Sequence, residues 1–341
     1  CSVNMAAAGI YTMGGAFWEF GQPDWERTKL LLLFGVAEDH ESNPIKMGLG
    51  KLKERGARVI GINPIRTGYN AVADDWIAIT PGTDGLLILS LIHCLLTAGK
   101  IDLDYLARYT NAPVLVNEDP ASPEHGLFLR DDAGKPLVMD RATGKPMAFD
   151  AAGVKPDLAH GLRRAGITHR PVFQLLAERY LDPSYAPEAV AERCGIPAAR
   201  IHALAAELAR VAFDEAIEID QPWTDFRGEQ HEKMLGRPVA MHAMRGISAH
   251  SNGFQTARAL HLLQILLSTV ETPGGFRFKP PYPKPPEAHP KPHATATPGQ
   301  PLKGPHLGYP MGPSIWRLPP MARPSASTRR FHGKTRSRRM A

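Results

Sequence analysis

Along the first third of the chain, apolar and polar positions fall into blocks with the lengths of strands and helices. Residues 29–34 are a lysine followed by an unbroken apolar run, LLLLF, stopped by Gly35. Such a run without alternation predicts a strand buried on both faces. A polar stretch, 36–44, leads into a helix-period segment over 45–55, closed by Gly56. Residues 57–62 read as the next strand and stop at Asn63 and Pro64. Residues 76–79 read as a third, ending in TPGTD at 80–84. Strand, loop, helix, glycine, strand is a βαβ unit, so an α/β fold with a parallel sheet and right-handed crossovers is expected. Apolar helices over 85–98 and 103–109 follow.

From 111 to 170 the periodicity weakens, and turns at 131–136 and 143–146 suggest hairpins or an excursion from the core. Helical texture returns over 171–180, 187–194 and 197–212. In the last of these Pro197 suits the first turn, and Ile201, Leu204, Ala205 and Leu208 make one apolar face. Residues 238–243 read as a strand, 244–252 as a loop, and 253–270 as an apolar helix closed by 271–275. The stretch 276–313 is proline-rich and aperiodic, which predicts an extended connector.

Composition is that of an ordinary globular chain, 43% hydrophobic and 22% charged. Its apolar runs are far shorter than the roughly 20 residues of a membrane helix, so no direct span is expected. The formal charge of +6 would suit a nucleic-acid partner, but its distribution speaks against one. Arg317, Arg323, Arg329, Arg330, Lys334, Arg336, Arg338 and Arg339 crowd the last 28 residues, which hold no acidic residue. The rest of the chain is left near −2. Under one permitted choice of codons, shifting the reading frame by one base over 315–341 gives a string of ordinary globular composition, so a frameshift near residue 314 is expected; a disordered basic tail is the alternative. The chain starts at Cys1 rather than methionine, as an internal fragment would. Cys1, Cys94 and Cys194 are widely spaced, so a disulfide framework is not expected, and three cysteines cannot build a four-cysteine metal site. Cys94 and Cys194 are expected to be reduced and buried.

In open α/β sheets ligands bind beyond the carboxyl ends of the strands. Gly35 there allows close backbone approach, and Glu41, Ser42 and Asn43 precede a helix N-terminus that favours anions. Asn63 can bond ribose hydroxyls or a base edge, while Arg66 and Thr67 suit a phosphate. Asp84, after Gly82, can accept two N–H donors of a guanine; equally, Thr83 or Asp84 can cap the following helix. Neither loop matches GxGxxG, so a nicotinamide site is not supported. Among the histidines, His93, His202 and His261 fall in helices, where packing or surface roles are usual. His250 sits in a glycine-flanked loop with Arg245, Gly246, Ser248 and Asn252, able to hold an oxyanion or to stabilise the loop.

The combination of GVAEDHESNP at 35–44, GINPIRT at 61–67 and ITPGTDG at 79–85, followed by MRGISAHSNG at 244–253 and TPGG at 272–275, resembles the molybdopterin oxidoreductase (dimethyl-sulfoxide reductase) family. The resemblance covers about residues 1–313. Asn63 replaces the common aspartate and Ile65 precedes the arginine, a departure at the ribose contact. It implies parallel-sheet, Rossmann-like domains interrupted along the chain: a dinucleotide-binding unit over 1–110, an irregular excursion over 111–170, a second α/β segment over 171–275, the connector 276–313 and the aberrant tail 314–341. It also implies molybdopterin guanine dinucleotide carrying molybdenum (or tungsten), held by Gly35, Glu41, Ser42, Asn43, Asn63, Arg66, Thr67, Gly82, Asp84, Arg245, Gly246, His250 and Asn252. An iron–sulfur cluster is implied only for a full-length protein, and the metal ligand and C-terminal barrel are expected outside this stretch. The activity implied is two-electron or oxygen-atom transfer on a small oxyanion, with sulfite, thiosulfate or tetrathionate favoured. Iron–sulfur and membrane-anchor subunits are the implied partners, and compartment stays open. The alternative is a non-catalytic remnant with at most weak nucleotide binding.

Overall fold

The computed structural model describes residues 2–14, 22–36, 44–66, 68–243 and 245–277. It opens with helix α1 (Ser2–Met13) and the two-residue strand β1 (Gln22–Pro23). The βαβ pattern follows: β2 (Leu30–Phe34), α2 (Pro44–Glu54), β3 (Arg58–Ile62), α3 (Tyr69–Val72), β4 (Asp75–Ile77), α4 (Asp84–Thr97) and α5 (Leu103–Tyr109). The third strand stops two residues earlier than expected, because Thr80 leaves the sheet to bond Cys194 O through its own amide at 2.9 Å.

The excursion holds β5 (Leu115–Asn117), β6 (Leu137–Met139), β7 (Pro146–Ala148), β8 (Leu162–Arg164) and β9 (Ile167–Pro171). All its pairings are antiparallel, β6 with β7 and β9 with both β5 and β8, so the turns at 143–146 and 164–167 are hairpins. Three helices come next: α6 (Val172–Tyr180), α7 (Pro187–Cys194) and α8 (Ala198–Ala209). Pro197 stands at the N-cap of α8 rather than in its first turn, and the predicted helix end at 212 is a π turn, Arg210–Asp214. The strands β10 (Ile217–Ile219), β11 (Trp223–Thr224), β12 (Gln230–His231) and β13 (Met234–Gly236) form nested hairpins that the pattern did not predict. The chain then enters β14 (Val239–Ala243), a 3-10 turn (Arg245–Ser248), α9 (Gly253–Leu266) and β15 (Phe276–Arg277), which pairs with β1. Helix α9 is shorter than the predicted 253–270, since Ser268 takes a positive φ of 50°.

One mixed helix-and-strand body carries a four-stranded parallel sheet in the order β14-β2-β3-β4. Leu30 to Phe34 pair residue by residue with 58–62 on one side and with 239–243 on the other. Every residue of β2 is buried, as its unbroken apolar run predicts. Its alternate side chains serve two cores. Leu30, Leu32 and Phe34 join Leu87, Leu91, Leu204, Leu208, Leu260 and Leu263 from α4, α8 and α9. Leu31 and Leu33 join Ile45, Leu49 and Leu52 of α2. Each fully buried leucine is worth roughly 1.5–3 kcal/mol against exposure, so this strand anchors the sheet. Ile201, Leu204, Ala205 and Leu208 are buried as one face of α8. Cys194 is buried, whereas Cys94 is only half-buried, which corrects the expectation for the latter.

Candidate functional site

Strands β2, β3 and β4 run in succession to one side, while β14 returns to the other side of β2. The strand order reverses between β2 and β14, so the crevice position where such sheets receive ligands lies beyond their carboxyl ends. The strand ends are tied together by backbone bonds from Gly35 N to Ile62 O (3.0 Å) and from Asn63 N to Ile77 O (3.2 Å). Gly35, Asn63 and the 80–84 turn thus lie side by side along one rim of the sheet.

Gly35 has φ +64°, and a Cβ there would lie 3.2 Å from Ile247 Cγ2. Both the backbone turn and the approach of the 245–248 segment require glycine at this position. Gly246 lies against the same point, its hypothetical Cβ 3.7 Å from Gly35 O. The loop after β14 then crosses to the third strand end. Asn252 Nδ2 donates to Gly82 O at 3.2 Å, and the imidazole of His250 lies on Gly82, with Nδ1 3.6 Å from where a Cβ would stand. The loop is supported from behind by Asn4 of α1, whose Nδ2 donates to Ser248 O at 2.9 Å.

Asn63 is buried, with its backbone engaged on both sides: its amide bonds Ile77 O, and its carbonyl accepts from Trp76 Nε1 at 3.0 Å. Its side-chain Nδ2 has no acceptor among the described residues. A buried amide left in this state costs free energy that a ligand acceptor would recover. Asp84 is buried at the start of α4. Burial raises its carboxyl above the ordinary range, opposed by its own amide and by the charge of His250. The capping role open to Thr83 is not taken up. Its hydroxyl donates back to Thr80 O at 2.7 Å, and the N-cap position makes no side-chain bond into the helix. Arg66 is exposed beyond β3. The backbone of Arg245 is in the 3-10 turn. Glu41, Ser42, Asn43 and Thr67 lie outside the described residues, as do His40 and Cys1.

Three contributors escaped the sequence pattern. Asn70 of α3 is fully buried and its Nδ2 donates to Val36 O at 3.2 Å, holding the loop after β2. A Cβ at Gly61 would run into its side chain, so the signal available was a lone glycine inside a strand. Trp76 braces Asn63, and Thr256 of α9 packs on Gly85, where a Cβ would lie 2.7 Å from its Oγ1. Away from the crevice, Asp225, Glu229 and His231 bring their ligand-type atoms within 4.8 Å of one another. Arg108 already fills that cluster, donating to Asp225 and to Glu229 (2.6 Å), while His231 Nε2 lies 3.0 Å from Asp225.

The crevice offers a glycine-lined approach, an orphaned amide, a buried carboxylate and a helix N-terminus, which together fit the nucleotide end of a phosphate-bearing cofactor. The chain is 48% identical over 326 residues to a sulfite dehydrogenase subunit of Allochromatium vinosum, covering 92% of this chain and 34% of that protein. It is 29% identical over 119 residues to the molybdopterin-containing PhsA chain of the thiosulfate reductase of Salmonella typhimurium, covering 33% of this chain and 14% of that one. Acetylene hydratase from Pelobacter acetylenicus superposes with a TM-score of 0.47 at 16% identity, over 80% of this chain and 25% of that structure. The chain thus spans about a third of the length of the sulfite dehydrogenase protein it matches. A family model described as molybdopterin oxidoreductase matches residues 2–295, from α1 through the crevice loops and beyond β15, and the chain belongs to that family.

Proposed function

We propose that this chain supplies the nucleotide side of the cofactor cradle in a molybdenum-dependent oxidoreductase that acts on a small sulfur oxyanion. The observation that carries the reading is the rim itself: orphaned Asn63 Nδ2, buried Asp84 and the glycines Gly35 and Gly82 on three adjacent strand ends. On this reading the parallel strands β2–β4 and β14 are a Rossmann-like unit, built from the 1–110 domain and completed by the 171–275 segment. Gly35 and Gly246 admit the pyrophosphate backbone. Asn63 bonds a ribose hydroxyl, Arg66 and Thr67 hold a phosphate, and Asp84 accepts the paired N–H groups of guanine.

When bound, molybdopterin guanine dinucleotide supplies two-electron or oxygen-atom transfer, and this chain's residues supply orientation and electrostatics. Sulfite is the favoured substrate because the 48%-identical relative is named a sulfite dehydrogenase, with thiosulfate next on the name of the second relative. The first relative is also named as one subunit of its enzyme, which supports partner subunits for this protein; we read these as an iron–sulfur electron carrier and a membrane anchor. Among the described residues no helix is long and apolar enough to cross a membrane. The stretch 276–313 is read as a connector and 314–341 as an aberrant basic tail.

The test is the molybdenum and guanine-nucleotide content of the chain purified from a host that makes the cofactor. Stoichiometric metal with GMP released on acid treatment is expected. A chain that is folded but carries neither would overturn the reading in favour of a non-catalytic remnant.

A further inference from the structure

The segment 245–252 meets the crevice at both ends, but by different chemistry. At Gly35 the contact is apolar, through Ile247. At the 80–84 turn it is polar. Asn252 holds the Gly82 carbonyl at 3.2 Å, and the His250 ring rests on Gly82, whose φ of +83° admits no side chain without strain. Two residues further on, Asp84 is buried, a setting that favours its neutral form, and the positive charge of His250 acts in the opposite sense. The other titratable group facing Asp84 is the Cys194 thiol of α7, whose Sγ lies 4.0 Å from Thr83 O. Burial pushes that thiol up, so it stays neutral, and Arg193 acts on it rather than on Asp84. Among the described residues, then, the group whose positive charge, when it carries one, acts on Asp84 is His250. It comes from the loop after β14, on the opposite side of the switch point.

We infer that His250 and Asn252 are positioning residues: Asn252 fixes the 80–84 turn, and the charge of His250 keeps the Asp84 carboxylate available to a pair of ligand N–H donors. The inference rests on the cofactor reading for its ligand but not for its geometry. It makes the family's two loop landmarks one device. Acidification, by protonating Asp84, removes the acceptor that a guanine needs, and His250 delays that loss.

The experiment uses the full chain labelled with carbon-13 at aspartate carboxyls, Asp84 being assigned by the signal lost in Asp84→Asn. The Asp84 midpoint is expected to move to higher pH in His250→Gln and to return in His250→Lys. A midpoint unchanged in His250→Gln overturns the role of His250. GMP binding is followed in parallel by tryptophan fluorescence, Trp76 being bonded to Asn63. Asn252→Ala should weaken GMP about 2- to 10-fold at every pH, the loss of one ordinary hydrogen bond, without moving the Asp84 midpoint. Unchanged affinity overturns the role of Asn252. If the wild-type chain takes up no GMP while His250→Gln still shifts the midpoint, the control of Asp84 by His250 stands and the cofactor reading falls.

Discussion

Replacing Asn63 with alanine should separate the stability of the empty chain from its affinity for a nucleotide, with opposite signs. Asn63 is buried, and its Nδ2 lacks an acceptor among the described residues. The backbone bonds at this position, to Ile77 O and from Trp76 Nε1, do not involve the side chain and survive the change. Removing a buried N–H group that lacks an acceptor among the described residues relieves a penalty of about 1–3 kcal/mol. The small void left by the truncated side chain takes back part of that gain, on the order of 1 kcal/mol. The empty variant should therefore be as stable as the wild type or more so, with a Tm raised by up to about 4 °C at this chain length. The loaded chain should behave in the opposite way, losing roughly 0.5–1.5 kcal/mol of ligand bonding, or about 2- to 10-fold in GMP affinity. Differential scanning calorimetry with and without saturating GMP measures both terms on one sample. A variant destabilised by more than about 1 kcal/mol when empty would refute the reasoning, because the amide would then be satisfied within the protein rather than held for a ligand.

Other outcomes follow from the same structure. Asp84→Asn should stabilise the empty chain and abolish GMP binding: the raised Asp84 carboxyl favours folding below its unfolded range, and that contribution is lost as pH rises through its folded value. Thermal melts across that window should slope for the wild type and flatten for the variant. His261 in α9 is buried and pushed down to about 4. Its neutral form should contribute about 3 kcal/mol above pH 6.5 that is lost as pH falls towards 4, and urea midpoints of His261→Gln should lack that acid slope. Asp225→Ala should cost about 3 kcal/mol, the low end for breaking a buried ion pair because Glu229 still faces Arg108. Denaturant titration reads that loss, and a cost under about 1 kcal/mol would mean that the Arg108 cluster does not hold the nested hairpins to α5. Gly35→Val should block the crevice and force the 245–248 segment outward, with GMP binding lost; unchanged binding would remove Gly35 from the cradle.

Local pattern was enough to place β2, β3, α4, α5 and α7, because each carries its own signal: a doubly buried apolar run, a glycine stop, a helix period bounded by proline or glycine. Most of the crevice was legible for the same reason. Strand ends are where the chain must turn, and Gly35, Asn63, Gly82 and Asp84 are turn residues with chemistry to spare. The nested hairpins over 217–236 were not legible, since their strands are two or three residues long and half-exposed, too short for an alternation to show. Nor was Asn70, a polar residue whose value lies in reaching Val36 across the sheet.

By itself, then, the sequence determined the parallel βαβ character of the chain, its family and the short stretches at the strand ends where a ligand is proposed, because those depend on neighbours within a few residues. Only the tertiary structure decided that β14, some 200 residues after β2, pairs with it and closes the switch point. That pairing lays His250 and Asn252 over Gly82 and sets Ile247 against Gly35. It also turns Asp84, which by sequence could as well have capped a helix, into a buried carboxylate under the charge of His250. Burial and long-range pairing are properties of what surrounds a residue, and no local pattern encodes those surroundings.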